Sequence, residues 1–289
     1  MKKFVLGILS ACLLLSSCSK DDAPKPADLK HEVKFTVSPF SQEITDISYA
    51  KSLSTSIGYL EYIVYNSSGA KVNRISQTSA DANFGVISDQ LSSGTYTVII
   101  LGTKSAPNIS NDNNGECRNV YTNTYDSFYK KFTITVDKEN ITQNVVLSRI
   151  VSYLEVVITD AIPSNAKKIV LNVENEYNNF WFFYDEVGCG GTNVVANIEK
   201  AVGATDIATT NFTLGSFILN TKDPLVVNIR AYDADNKVIA EKKVTNITCI
   251  KNKKTILKGK LFDGITTPPS QSFSITVNDT FLEPTTITF

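Results

Sequence analysis

Two stretches, Phe132-Thr133-Ile134-Thr135-Val136 and Leu154-Glu155-Val156-Val157-Ile158, carry an apolar side chain at every second position. Successive side chains of a β-strand point to opposite faces, so this alternation predicts strands with one buried and one wet face. The same period recurs at residues 35–37, 96–100, 169–173 and 273–277. Many short strands separated by turn residues indicate antiparallel β-sandwiches. The sequence therefore predicts an all-β fold.

A weak internal repeat predicts two similar domains. The stretches Tyr65-Asn66-Ser67-Ser68-Gly69-Ala70-Lys71-Val72 and Tyr232-Asp233-Ala234-Asp235-Asn236-Lys237-Val238 both read as strand, turn and returning strand. A length of 289 residues also suggests two domains, at about 100–200 residues each. We expect an N-terminal sandwich at 31–149 and a C-terminal sandwich at 150–289.

The predicted joint between these domains is short, because one strand set ends at 145–147 and the next begins at Leu154. A short joint favours a fixed relation between domains over free swinging. Helix signals are sparse, and residues 193–202 are expected to form either one short helix or a loop.

Composition narrows the possible functions. Apolar residues make up 42% of the chain and charged residues 20%, which excludes a disordered chain. With 28 Lys and Arg against 29 Asp and Glu, nothing supports electrostatic binding of nucleic acid. The single histidine, His31, excludes most metal sites and Ser-His-Asp chemistry. We therefore expect no enzyme, no metal and no cofactor, and hydrolysis dependent on His31 is the remaining enzymatic alternative.

The N-terminus reads as a targeting segment. Lys2 and Lys3 precede an apolar stretch at 4–15, which is shorter than the roughly 20 residues that span a bilayer. The stretch ends at Leu15-Ser16-Ser17-Cys18, which resembles the lipobox of bacterial lipoproteins. The resemblance implies that residues 1–17 are a lipoprotein signal peptide and that Cys18 is acylated, for example with palmitate. An ordinary signal peptide is the alternative.

Residues 18–30 are predicted to form a tether. Pro24 and Pro26 favour an extended, semi-rigid spacer. Asp21 and Asp22, close after Cys18, resemble the surface-export signal of lipoproteins from Gram-negative gut and mouth anaerobes. That resemblance implies a location on the outer face of the cell outer membrane, held by several acyl chains because one chain alone binds only marginally.

Cys12 lies in the predicted signal peptide, so the mature chain keeps Cys117, Cys189 and Cys249 besides Cys18, and at most one disulfide forms after Cys18 is acylated. Cys189 and Cys249 fall in the same expected domain, where either a bridge or free buried thiols are possible. No pair has the C-x-x-C spacing of redox motifs or zinc sites.

The densest aromatic run is Phe180-Trp181-Phe182-Phe183-Tyr184. In a strand it would place aromatic rings on both faces. Packing in the core and against the neighbouring domain is the favoured interpretation. The alternative is an exposed platform around Trp181 that binds a sugar or peptide, since exposed apolar patches mark binding surfaces.

Three stretches resemble one family. Leu91-Ser92-Ser93-Gly94-Thr95-Tyr96-Thr97-Val98 looks like a strand entry of transthyretin-like domains, and 147–156 looks like the interdomain joint of fimbrillin-type proteins. Residues 273–281, with Ile287-Thr288-Phe289, look like their C-terminal strands. Together with the lipobox, the chain resembles the FimB-like fimbrillin-associated anchor family. The resemblance implies a non-enzymatic fimbrial subunit with two tandem transthyretin-like sandwiches.

Such subunits assemble by strand exchange, in which an added strand supplies main-chain hydrogen bonds and its alternate side chains fill pockets. The resemblance implies that the tail engages a fimbrial shaft subunit with two strands. Their apolar residues are Phe273, Ile275 and Val277 in one strand and Phe281, Ile287 and Phe289 in the last. The alternative is that the first of these strands completes the sheet of its own domain.

One feature favours an anchor over a stalk subunit. Stalk subunits of this kind are opened by cleavage after an N-terminal arginine, and no arginine precedes Arg74 here. The lipid and the first strand would therefore stay on the chain. The alternatives are a stalk or tip adhesin subunit of the same assembly, which would lose Cys18, and a surface lipoprotein that binds a glycan or peptide. A host surface protein or glycan is a possible further partner.

Overall fold

The computed structural model describes residues 29–38, 57–110, 120–121, 125–182, 184–187, 193–263 and 273–278. The predicted signal peptide 1–17, Cys18 and most of the tether lie outside these residues. Within them the chain is nearly all strand, with one 3-10 turn at Ala204–Asp206. No helix in this part of the chain is long and apolar enough to cross a membrane.

The N-terminal half forms two sheets that face each other. Its strands are β1 (Lys30–Ser38), β2 (Tyr59–Asn66), β3 (Lys71–Thr78), β4 (Val86–Ser92), β5 (Gly94–Thr103), β6 (Ile109–Ser110), β7 (Val120–Tyr121), β8 (Ser127–Val136), β9 (Ile141–Val146) and β10 (Ser148–Arg149). The sheet orders are β4-β1-β9 and β10-β8-β5-β2-β3. Phe35, Tyr62, Ile87, Val98 and Ile134 are among the buried side chains between them.

The C-terminal half repeats this construction. Its strands are β11 (Ser152–Ile158), β12 (Lys168–Glu176), β13 (Phe180–Trp181), β14 (Glu186–Val187), β15 (Val194–Ala201), β16 (Phe212–Ile218), β17 (Leu225–Tyr232), β18 (Val238–Ile247), β19 (Lys254–Gly259) and β20 (Phe273–Asn278). The sheet orders are β16-β11-β19-β20 and β15-β12-β17-β18. The short strands β13 and β14 form a fifth sheet with β6 and β7 of the N-terminal half, in the order β14-β13-β7-β6. Leu154, Val156, Ile158, Leu171 and Ile229 lie in the core between the sheets. The predicted all-β fold of two tandem sandwiches is confirmed.

The two halves share one topology. In each, the first strand lies between an antiparallel and a parallel neighbour, as β4-β1-β9 and β16-β11-β19. The second sheets also match strand for strand, as β3-β2-β5-β8 and β15-β12-β17-β18. The sandwiches are therefore mainly antiparallel, with a parallel pair formed by the first and a late strand of each half.

The predicted turns form as expected. Asn66 Oδ1 accepts a hydrogen bond from the Ala70 N–H at 2.9 Å between β2 and β3, and Gly69 has φ 76°. Asp233 Oδ1 accepts one from the Lys237 N–H at 2.9 Å between β17 and β18. These two hairpins, which suggested the repeat, are not topological equivalents, because β2 and β3 correspond to β12 and β15. The two halves do repeat one another, but the repeat is in the order and pairing of their strands and not in these two hairpins.

The prediction of a short helix or a loop at 193–202 is wrong. Val194–Ala201 is the edge strand β15, which pairs antiparallel with β12. Its side chains alternate, and Ala196 and Ile198 pack against the C-terminal core. The strand forms because the free edge of β12 supplies main-chain partners that outweigh the weak local preference.

Candidate functional site

A third apolar cluster joins the two sandwiches. The N-terminal sheet contributes side chains from its outer face: Ile63, Tyr65, Ile99, Leu101 and Tyr129. The C-terminal half contributes Ile150, Val151, Phe180, Phe182, Val187 and Leu219. Strands β2 and β5 are therefore apolar on both faces, because one face lines their own core and the other is covered by the second sandwich.

Aromatic rings fill the centre of this joint. The Tyr129 ring stacks on Phe182 with centroids 5.5 Å apart and planes 9° apart, and it meets Phe180 edge-on at 5.0 Å. The Tyr129 hydroxyl donates a hydrogen bond of 2.8 Å to the Phe182 carbonyl oxygen. Burial raises the pKa of Tyr129 well above its usual value, so this hydroxyl keeps its proton. Main-chain pairing also crosses the joint, where β13 runs antiparallel to β7.

Trp181 is only 7% exposed, whereas Tyr184 is 43% exposed. The Trp181 ring is therefore not an exposed platform, and the core-and-interface interpretation of the aromatic run describes Phe180, Trp181 and Phe182. Phe183 lies outside the described residues. Phe180 and Trp181 of β13 are both buried, although neighbouring strand residues point to opposite faces, and Phe180 and Phe182 pack in the cluster formed with the outer face of the N-terminal sheet.

Arg149 connects the two halves at the same joint. Its guanidinium makes a bidentate pair with Asp126, at 2.6 Å from Nε to Oδ1 and 3.1 Å from Nη2 to Oδ2. Nη1 donates a 2.7 Å hydrogen bond to Asn252 Oδ1 in the loop before β19. The guanidinium carbon also lies 4.7 Å from the centroid of the Phe128 ring. This role of Arg149 was not predicted from the sequence, although a single cation inside the apolar stretch 145–154 is a local signal for it.

Glu176 is a buried carboxyl group at the end of β12, with 1% of its surface exposed. Its Oε1 accepts hydrogen bonds from the Leu219 and Asn220 N–H groups, at 2.7 and 3.0 Å. Burial raises its pKa to about 7, against the opposing effect of these bonds. The carboxyl group thereby ties the start of the loop after β16 to the end of β12. Nothing in the local sequence distinguishes Glu176 from an exposed glutamate.

The C-terminal strand β20 lies at the edge of a sheet, antiparallel to β19. Phe273 pairs with Gly259 and packs against the core, and Ile275 pairs with Leu257 but remains 45% exposed. In the chain described here, the first predicted donor strand thus completes the sheet of its own half. Val277 follows in the same register opposite Thr255. Phe281, Ile287 and Phe289 lie outside the described residues.

The remaining sequence candidates are distributed elsewhere. Cys249 is a free thiol in the C-terminal core, in keeping with the free-thiol alternative, and burial raises its pKa to about 11. Cys189, the other residue of the possible disulfide, lies outside the described residues. His31 is half-buried on β1 opposite Leu91. Among the described residues, no group of three or more His, Cys, Asp or Glu side chains is placed to hold a metal ion.

Comparisons with known proteins agree with the fold. A family model described as "Family of unknown function (DUF6562)" matches residues 79–289. A comparison with curated proteins finds no match. Among solved structures, a candidate adhesin from Bacteroides thetaiotaomicron VPI-5482 aligns with 88% of this chain and 98% of its own, at 12% identity and a TM-score of 0.56.

Two further solved structures align over similar lengths. Candidate polysaccharide-binding proteins from the same organism cover 87% of this chain and 96% of their own, at 11% identity and a TM-score of 0.54. The fimbrial anchor protein Mfa2 from Porphyromonas gingivalis covers 86% of this chain and 98% of its own, at 14% identity and a TM-score of 0.47. The two alignments with scores above 0.5 show that this chain shares the fold of those proteins.

Proposed function

This chain belongs to the DUF6562 family of unknown function, and we propose that it is a cell-surface fimbrial subunit that anchors a fimbria to the outer membrane. The lipid on Cys18 holds the chain in the membrane. The sandwich at 31–149 and the sandwich at 150–289 form one fixed body. The C-terminal strands engage a shaft subunit by strand exchange. The resemblance of the tail and lipobox to fimbrillin-associated anchors supports this function, as does the fold shared with a candidate adhesin.

The observation that carries the proposal is how β20 is held. The strand pairs with β19 along its whole length, yet none of its described side chains is fully buried. Ser274 and Thr276 are exposed, Ile275 is 45% exposed, and Phe273 is half-buried. The main-chain hydrogen bonds to β19 can be replaced by equivalent bonds to another sheet. The side chains of Ser274, Ile275 and Thr276 are already exposed, so they lose little burial when β20 leaves β19. An edge strand held in this way is suited to exchange between subunits.

The joint supports a mechanical role. An anchor transmits force from the fibre at the C-terminal strands to the lipid near the N-terminus, and the load passes through both sandwiches. The aromatic cluster around Tyr129 and the hydrogen bond from Arg149 to Asn252 oppose separation of the halves. A fixed joint of this kind suits a load-bearing subunit better than a hinge does.

The first experiment is intact-mass and N-terminal peptide analysis of the protein recovered with native fimbriae. A chain that starts at acylated Cys18 is the expected result for an anchor. A chain that starts beyond Lys30 without lipid would contradict the anchor and assign the protein to the stalk or tip. Failure to recover the protein with fibres would contradict the fimbrial function as a whole.

The second experiment tests the exchanged strand with a matched pair of variants. Ile275→Asp places a charge on the face of β20 that also carries Phe273 and lies beside Leu257 of β19. Ser274→Asp places the same charge on the opposite face, which is exposed. Both positions are already exposed, so both variants are expected to fold. We expect I275D to lose capture of the shaft subunit from detached fimbriae and S274D to keep it. Equal capture by both variants would contradict donation of β20.

A further inference from the structure

The shared topology of the two halves makes β9 and β19 equivalent strands. Each runs parallel to the first strand of its half, β1 or β11, which is its neighbour on one side. The other side of β19 pairs with β20. Within the described ranges, no strand pairs with the outer side of β9. Among the described strands, the N-terminal sandwich therefore has an open edge where the C-terminal sandwich carries its last strand.

The side chains along the two edges show what the difference exposes. In β9, Gln143 lies opposite Phe35 of β1, on the same face as Val145, which is buried in the core. Gln143 is nevertheless exposed. Leu257 takes the equivalent place in β19, opposite Val156, and is fully buried. The core-facing row of β9 is thus open to solvent at its middle position, where a further strand would cover it.

The open edge also lacks the charges that block strand addition. The sequence of β9, Ile-Thr-Gln-Asn-Val-Val, contains no charged residue. The edge strands β3 and β15 carry two charged residues each and β18 carries three, whereas the edge strands β16 and β20 carry none, like β9. Charged side chains on edge strands prevent pairing with other chains, so an uncharged edge is permissive for it. Val146 of β9 is also 41% exposed.

We propose that the outer edge of β9 is an acceptor that binds an uncharged strand of the β20 type from a neighbouring fimbrial subunit. The equivalence with β19 defines the chemistry of the occupant. It is an extended segment that supplies main-chain hydrogen bonds to β9. Its apolar side chains, at alternate positions, lie on the same face of the sheet as Gln143 and Val145. The proposal rests on the proposed function only for the source of the strand. The chain would then hold one neighbour through its tail and a second through β9.

The test is binding of a labelled peptide to the full chain. A fluorescein-labelled peptide of residues 272–278, Ser-Phe-Ser-Ile-Thr-Val-Asn, represents the strand, and fluorescence anisotropy measures its affinity. Gln143→Lys places an ammonium group where the apolar side chains of the strand would pack. Thr142→Lys adds the same charge at the neighbouring exposed position, on the other face of the sheet. Gln143→Leu reproduces the residue found in β19.

We expect Q143K to bind the peptide at least about tenfold more weakly than the wild type, because a charge is costly to desolvate. T142K keeps its ammonium group in water on the other face and is expected to weaken binding less than Q143K does. Q143L is expected to bind about fivefold more tightly through added apolar contact. Absence of wild-type binding, or equal binding by Q143K and T142K, would overturn the proposal. If Q143K fails to fold, the gain expected of Q143L remains a test, and an unchanged affinity would refute the acceptor.

Two measurements decide where the peptide binds and what its natural source is. A photoreactive group at the Ile275 position of the peptide should label β9 or β1, and labelling of β19 would overturn the proposal by showing displacement of β20. Size-exclusion chromatography of the unliganded chain should give a monomer. If the chain instead forms a dimer that the Q143K substitution dissociates, the strand bound at β9 comes from a second copy of this chain, and the assignment to a neighbouring fimbrial subunit is overturned. Peptide binding is measured independently of recovery with fimbriae, so the β9 acceptor and the fimbrial function can each fail without the other.

Discussion

Replacing Arg149 with methionine removes the cation that joins the two halves while keeping an unbranched aliphatic side chain at the same place. The Arg149 side chain is 4% exposed and its partner Asp126 is 18% exposed. The substitution leaves the Asp126 carboxylate and the Asn252 side-chain oxygen without the bonds they accept from the guanidinium. It also keeps apolar contact with the Phe128 ring.

The expected loss follows from this burial. Removing one partner of a buried ion pair costs about 3–5 kcal/mol, because the other charge stays uncompensated. Asp126 retains some access to water, so the lower end, about 3 kcal/mol, is expected for R149M. Arg230→Met is the matched control, since Arg230 pairs with Glu241 at exposed fractions of 32% and 47%. An exposed pair contributes less than about 1 kcal/mol.

Equilibrium unfolding in urea measures both variants. The chain has one tryptophan, Trp181, which is buried close to the joint, so its fluorescence reports on the contact between the halves. Circular dichroism of the strands follows the rest of the fold, and coincident transitions would indicate two-state unfolding. A loss for R149M within 1 kcal/mol of that for R230M would refute the reasoning. So would a double variant with Asp126→Asn that shows no coupling.

Three further predictions concern the interior. Tyr129→Phe removes the hydrogen bond to the Phe182 carbonyl oxygen and should lower the free energy of unfolding by about 1 kcal/mol, with little change expected for Tyr184→Phe at an exposed position. Because the folded pKa of Glu176, about 7, is above its ordinary value of 4.5, the folded state binds the extra proton, and stability should fall as pH rises from 5 to 8. The loss should be about 2–3 kcal/mol for the wild type and should be absent from Glu176→Gln, so identical pH profiles in urea unfolding would contradict it. Cys249, with a pKa raised to about 11, should resist alkylation at pH 8 in the native chain and react fully in urea, and rapid native labelling found by peptide mapping would disagree.

The strand pattern was predictable because burial on one face leaves a period of two in the sequence. The stretches at 132–136 and 154–158 lie in β8 and β11, with Ile134 and Val156 directed into the two cores. The failure at 193–202 has the same origin. Strand β15 is an edge strand with only partly buried side chains, so its periodic signal is weak and its pairing with β12 decides its conformation.

The joint was only partly predictable. An aromatic run at 180–184 indicated packing on two faces, but its partners lie more than fifty residues away, as the bond from Tyr129 to Phe182 shows. Glu176 has no local pattern that indicates its burial, and the local signal for Arg149 is limited to its position inside the apolar stretch 145–154. Their roles depend on which chain segments meet, and charged groups are buried only where such segments supply partners.

The sequence by itself determined the all-β class, the position of turns such as Asn66 to Gly69, and the motifs that suggest export and lipidation, because these depend on near neighbours along the chain. The tertiary structure decided which strands are equivalent in the two halves and how Arg149 and Tyr129 hold the halves together. It also decided that, among the described strands, β19 has a neighbour on its outer side and β9 has none. Those properties arise from pairing between distant strands, and strand pairing is set by the packing of whole sheets rather than by any local run of residues.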